Sequence, residues 1–169
     1  MKTLIFVTGG VRSGKSHFAE QLVKARGVAA AYVATSEAFD VEMKSRIEKH
    51  QQDRSKHAFN WQLYEMPYAL STTISERVVL FECVTTWLAN MFFMQNDQHA
   101  IQTFKAWIEQ LLDDEKYVVI VSNEMLDAGL TEYEETNMYL QQIGQLHTWL
   151  VEKSDEAYEC NNTILKRWK

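Results

Sequence analysis

Residues 9–16 read Gly-Gly-Val-Arg-Ser-Gly-Lys-Ser, a match to the phosphate-loop pattern GxxxxGK(S/T). A triphosphate is a compact polyanion, and this pattern supplies what such a group needs. The glycines let the backbone curl so that successive N–H groups point at phosphate oxygens. A helix starting here adds the partial positive charge of its N-terminus. The Lys15 ammonium is then expected on the β and γ phosphates as a catalytic group, and the Ser16 hydroxyl on Mg²⁺. Gly9, Gly10, Val11, Arg12, Ser13, Gly14, Lys15 and Ser16 are therefore the expected nucleotide-binding set, with a purine nucleotide as ligand.

A phosphate loop ordinarily has a metal-side carboxylate at the end of a neighbouring strand. Glu82 closes the apolar run Val78–Phe81 and is the first candidate. Glu124, beyond the run Tyr117–Ser122, is the second. An acid in either place could instead cap the next helix. The preferred metal set is Ser16 with Glu82.

A second group of chemically capable residues lies at Arg46, His50 and Arg54, spaced i, i+4, i+8 on the helical pattern Phe39–Arg54. Two guanidinium groups beside an imidazole keep it neutral and can clamp a triphosphate. A neutral imidazole nitrogen can attack an α-phosphorus with pyrophosphate leaving. From spacing alone, an ordinary surface histidine on a charged helix remains the simpler reading. His17, His57, His99 and His147 show no metal-ligand spacing and read as surface or local packing residues.

The elements that must position these groups follow from periodicity. Strands are expected at Thr3–Thr8, Ala29–Ala34, Trp61–Tyr64, Val78–Glu82 and Tyr117–Ser122. Helices are expected at Lys15–Ala25, Phe39–Arg54, Tyr68–Ile74, Thr85–Met94, Ala100–Asp114 and Glu132–Glu152. The tail Ala157–Lys166 reads as a hairpin turning at Asn161-Asn162, since asparagine tolerates positive φ. Alternation of strands and helices predicts an α/β fold, a mostly parallel sheet covered on both faces, with one antiparallel strand added at an edge.

The 169 residues are expected to form a single domain, 1–169, because no linker, repeat or low-complexity tract interrupts them. No apolar run approaches the ~18–20 residues of a membrane span, and the N-terminus lacks a signal-peptide layout. Cys83 and Cys160 form no CxxC pair, so a reducing cytoplasm is the expected compartment. The net charge of −6 is unevenly spread, with ten Lys/Arg against six Asp/Glu in residues 1–60 and seven against seventeen thereafter. An acidic chain argues against nucleic acid as a partner, whereas a basic first third suits a nucleotide.

Together these pieces resemble the bifunctional adenosylcobinamide kinase / adenosylcobinamide-phosphate guanylyltransferase family of cobalamin assembly. The resemblance rests on Thr8–Ser16, Tyr32–Thr35, Asp40 with Glu42-Met43, Arg46-Ile47 followed by His50, Arg54, Trp61, Glu82-Cys83 with Thr85 and Asn90, and Asn123-Glu124. It covers about residues 3–124. It implies a P-loop NTPase fold with a RecA-like sheet, and a homotrimeric assembly. It further implies two reactions: phosphorylation of the aminopropanol hydroxyl of adenosylcobinamide by GTP or ATP, and transfer of GMP from GTP to the resulting phosphate through a guanylyl-histidine. On this chain that catalytic histidine is His50, with Arg46 and Arg54 on the triphosphate, and Thr35 and Ser36 joining the nucleotide-binding residues. After Glu124 the chain departs from the family pattern, carrying Glu134, Glu135 and neutral residues where basic ones are usual. Two other readings follow from that departure: another small-molecule P-loop kinase, or a nucleotide-binding protein that has lost one or both activities.

Overall fold

The computed structural model describes residues 2–37, 52, 59–70, 73–124 and 131–169. The chain order is β1 (Thr3–Gly9), α1 (Lys15–Lys24), β2 (Ala29–Ala34), β3 (Asn60–Glu65), β4 (Val78–Glu82), α2 (Val84–Ala89), α3 (Ala100–Asp113), β5 (Tyr117–Asn123), α4 (Glu134–Lys153), β6 (Glu156–Asn161) and β7 (Ile164–Arg167). The strands form one sheet in the order β3-β2-β4-β5-β1-β6-β7. All neighbours are parallel except β6 and β7, which form the antiparallel edge hairpin that the sequence predicts.

The central strands are buried on both faces, which is why they read as unbroken apolar runs instead of alternating ones. Leu4 and Phe6 of β1 face one layer with Val79, Phe81, Val118 and Ile120, while Ile5 and Val7 face the other with Leu80, Val119 and Val121. The first layer is covered by α2, α3 and α4, through Trp87, Phe104, Ile108, Leu111, Ile143 and Leu146. The second is covered by α1, through Ala19 and Val23, with Phe18 and Leu22 partly buried alongside. Helix α3 shows the driving pattern most plainly: Ile101, Phe104, Ile108 and Leu111 recur at helical spacing and are all buried. It ends in a Schellman arrangement, in which Lys116 N–H donates to Leu111 O (3.1 Å) and Glu115 N–H to Leu112 O (3.0 Å). Glu115 takes the left-handed turn usually given to glycine, with φ of 57°.

Several boundaries differ from expectation. The described residues of Tyr68–Ile74 contain no helix; the segment follows Pro67, and its carbonyls are held from outside, Tyr68 O by Trp87 Nε1 (2.8 Å) and Ile74 O by the buried Lys116 Nζ (2.8 Å). The expected helix Thr85–Met94 is α-helical only over Val84–Ala89 and continues as a π-helical turn, Asn90–Met94. The hairpin turns one residue later than expected, at Asn162 (φ 47°) and Thr163 (φ 67°). Among the described residues no helix is long and apolar enough to cross a membrane. The expected helix Phe39–Arg54, and with it Arg46, His50 and Arg54, lies outside the described residues apart from position 52.

Candidate functional site

The phosphate loop lies where β1 ends and α1 begins, at the carboxyl edge of the parallel strands, where open α/β sheets bind ligands. The turn needs unusual backbone at two points, Arg12 (φ 56°) and Gly14 (φ 88°). Gly9 is fixed by crowding: a Cβ there would sit 2.4 Å from Cys160 O and 2.6 Å from Ser13 Oγ. Gly9 and Ser13 are buried, Gly10 and Ser16 half-buried, and Val11, Arg12 and Gly14 exposed.

Lys15 is buried, and its ammonium donates to Gly10 O at 3.0 Å. The loop thus folds back over its own lysine, which holds the cation inside the curl and not in solvent. The hydroxyls of Thr8 and Ser13 are buried and make no hydrogen bond among the described residues. The first turn of α1 carries no acidic side chain of its own.

Among the described residues, the carboxylate of Glu82 reaches this loop. Ser16 Oγ donates to Glu82 Oε1, and Tyr32 OH donates to Glu82 Oε2 at 2.7 Å. Strand β4 ends at Glu82 beside β2, so the pairing of β2 with β4 sets this geometry. Glu124 meets the loop through its backbone, its N–H donating to Gly9 O at 2.8 Å. Hydroxyl and carboxylate oxygens together are hard donors suited to Mg²⁺, which is normally held by few protein groups alongside phosphate oxygens.

Thr35 is fully buried, and its hydroxyl is committed to backbone: it accepts from Cys83 N–H (2.8 Å) and donates towards Glu82 O and Cys83 O (both 3.0 Å). It supports the end of β4 in this way; Ser36, next along, is half-buried. Beyond Glu82 lies a polar cluster at the ends of β4 and β5. Cys83 Sγ lies 3.2 Å from Thr85 Oγ1 and 3.1 Å from Thr86 Oγ1, and Asn123 Nδ2 donates to Thr85 Oγ1 at 3.2 Å. Tyr139 of α4 closes it from behind, its phenol donating to Thr85 O at 2.7 Å. Burial raises the Tyr139 pKa, so the phenol stays a donor.

Residue types alone did not reveal Tyr32 or Tyr139 as parts of this edge. Nothing in Ala29–Ala34 marks its tyrosine as the partner of a carboxylate some fifty positions on, and only the strand pairing brings them together. Of the two readings offered for His147, surface or local packing, the second holds: it is buried on α4, with Nε2 2.7 Å from Ser122 Oγ and its ring 5.3 Å from Phe6.

A parallel sheet with this strand order, a glycine-rich loop curled over a lysine and a strand-end carboxylate against the loop serine define a P-loop nucleotide-binding protein of the RecA-like type. A RadB recombinase crystal structure shares that fold over 93% of this chain and 73% of its own, with a TM-score of 0.51 at 14% identity. The chain belongs to the CobU family, cobinamide kinase / cobinamide phosphate guanyltransferase, whose model matches residues 5–165. It is 33% identical to the bifunctional adenosylcobalamin biosynthesis protein CobP of Pseudomonas aeruginosa, over 89% of this chain and 88% of that one. It is 34% identical to the CobU protein of Salmonella typhimurium, over 70% of this chain and 67% of the relative.

Proposed function

We propose that this protein phosphorylates the aminopropanol hydroxyl of adenosylcobinamide and then transfers GMP from GTP to the phosphate so formed. The observation that carries the kinase half is the convergence of Ser16 and Glu82 beside the enclosed Lys15. Family membership, through relatives that are themselves bifunctional, carries the rest.

In the first reaction the loop amides and Lys15 hold the β and γ phosphates and spread the charge that develops on transfer. Ser16 and Glu82 are the residues that would hold Mg²⁺, which when bound would supply charge neutralisation at the triphosphate. Tyr32 fixes the Glu82 carboxylate so that one oxygen stays turned to Ser16. The acceptor hydroxyl approaches from the Cys83, Thr85 and Asn123 side; the γ-phosphoryl group passes to its oxygen as the bond to the nucleoside diphosphate breaks, and the hydroxyl proton is released to solvent.

In the second reaction His50 attacks the α-phosphorus of GTP, pyrophosphate leaves, and the phosphate oxygen of the corrinoid displaces the imidazole. Arg46 and Arg54 hold the triphosphate against that helix. The protein works as a homotrimer in the cytoplasm, with nucleotide and corrinoid as its small-molecule partners.

The test uses GTP labelled at the α-phosphate. After denaturation the protein should retain acid-labile, base-stable label, and His50→Ala should remove it. Absence of label with intact phosphorylation of adenosylcobinamide would leave only a kinase. Nucleotide binding with neither reaction would leave a binding protein.

A further inference from the structure

The sheet order gives the bound nucleotide a direction, provided the phosphate-loop reading above holds. The Ser16–Glu82 pair ties the terminal phosphates to the β4 side of the loop. The polar cluster of Cys83, Thr85 and Asn123 lies on that same side. Strand order runs β4-β5-β1-β6-β7, so the loop after β1 has β5 and β4 on one flank and β6 and β7 on the other. With its γ end drawn towards β4, the triphosphate must present its nucleoside end towards β6 and β7.

What stands on that flank is the tip of the edge hairpin. It is fastened to the loop: Thr163 N–H donates to Ser13 O at 3.0 Å. The side chain of Thr163 lies against Gly14, its methyl 3.8 Å from where a Cβ would be. Strand β6 is locked to β1 in register, Cys160 opposite Gly9, so close that Gly9 has no room for a side chain. The tip is therefore held directly against the loop.

The tip also keeps a conformation that its residue types do not favour. Asn162 and Thr163 both have positive φ, a two-residue turn in which glycine is the easier occupant. Threonine is β-branched, and positive φ is an outlier for such a residue. Asn162 and Thr163 are exposed, as is Ile164, which is 72% accessible. The tip thus offers an amide with both donor and acceptor, a hydroxyl and an aliphatic face beside the mouth of the phosphate cradle.

We propose that Asn162, Thr163 and Ile164 form the wall that holds the ribose and purine base of the nucleoside triphosphate, and that the side chains at this turn set the preference between ATP and GTP.

The test compares wild-type protein with the double variant Asn162→Gly, Thr163→Gly. Glycine accepts both φ values, so the turn and its bond to Ser13 O persist while both side chains go. Dissociation constants are measured for ATP, GTP and inorganic tripolyphosphate with Mg²⁺, alongside thermal unfolding to confirm the fold. The proposal expects the variant to bind the preferred nucleotide about ten-fold or more weakly, with a reduced ratio between ATP and GTP and tripolyphosphate within about two-fold of wild type. Nucleotide binding unchanged in the variant overturns it. A parallel loss of nucleotide and tripolyphosphate also overturns it, since the tip would then be only a prop for the loop. If the wild type binds neither ligand, the phosphate-loop reading fails and takes this proposal with it.

Discussion

His147 offers a quantitative test of the packing between α4 and the sheet. Its imidazole is buried against Phe6 and Ser122, and burial lowers its pKa from the ordinary 6.5 to about 4. The folded state thus prefers the neutral ring, while the unfolded chain takes up a proton as pH falls through 6.5. The stability contributed by the neutral ring is fully present above pH 6.5 and is lost progressively down to about pH 4. A shift of this size corresponds to about 3 kcal/mol in full, of which about 2 kcal/mol is gone by pH 5. His147→Gln removes the titration while leaving a side chain that can pair with Ser122. Urea unfolding followed by tryptophan fluorescence, at pH 7 and pH 5, gives the stability of each protein. Wild type should lose about 2 kcal/mol more than the variant across that interval, and titrations common to both cancel. Equal losses in the two proteins would refute the reasoning, because the ring would then be accommodating its charge.

Other perturbations probe the site edge. Gly9→Ala should destabilise the protein by about 2 kcal/mol or more in chemical denaturation, since the new methyl meets a backbone carbonyl at 2.4 Å that cannot move without separating β6 from β1; wild-type stability would mean the hairpin is free to shift. Tyr139→Phe should cost about 0.5–1.5 kcal/mol by removing the bond from its phenol to the Thr85 carbonyl; an unchanged urea midpoint would count against that bond. Glu82→Gln should lower phosphoryl transfer by about 100-fold or more and raise the Mg²⁺ concentration needed, with thermal unfolding little changed; steady-state kinetics across a Mg²⁺ series would reveal either outcome.

Much of this architecture could be read before any coordinates. Thr3–Thr8 and Tyr117–Ser122 are apolar because both their faces are covered, and continuous burial leaves an unambiguous trace in sequence. The phosphate loop was equally plain, since glycine, lysine and serine at fixed spacing answer directly to phosphate chemistry. The segment after Pro67 misled because its apolar spacing suits a helix, whereas the carbonyls are satisfied by distant donors, Trp87 and Lys116. No local rule foresees that. The Asn161-Asn162 pair pointed to the correct hairpin but the wrong turn, because Thr163 is an unfavourable residue for positive φ and is held there by Ser13. The enclosure of Lys15 was missed for a related reason: motif spacing fixes what the lysine can reach and says nothing about the carbonyl that receives it.

The most direct measurement follows label from the γ-phosphate of ATP or GTP into adenosylcobinamide, in wild-type protein and in Lys15→Ala. Wild type should transfer label, and the variant should retain less than about a thousandth of that rate while keeping its cooperative unfolding transition. A variant that turns over at a near-normal rate would take the loop lysine out of the reaction and contradict the mechanism built on it.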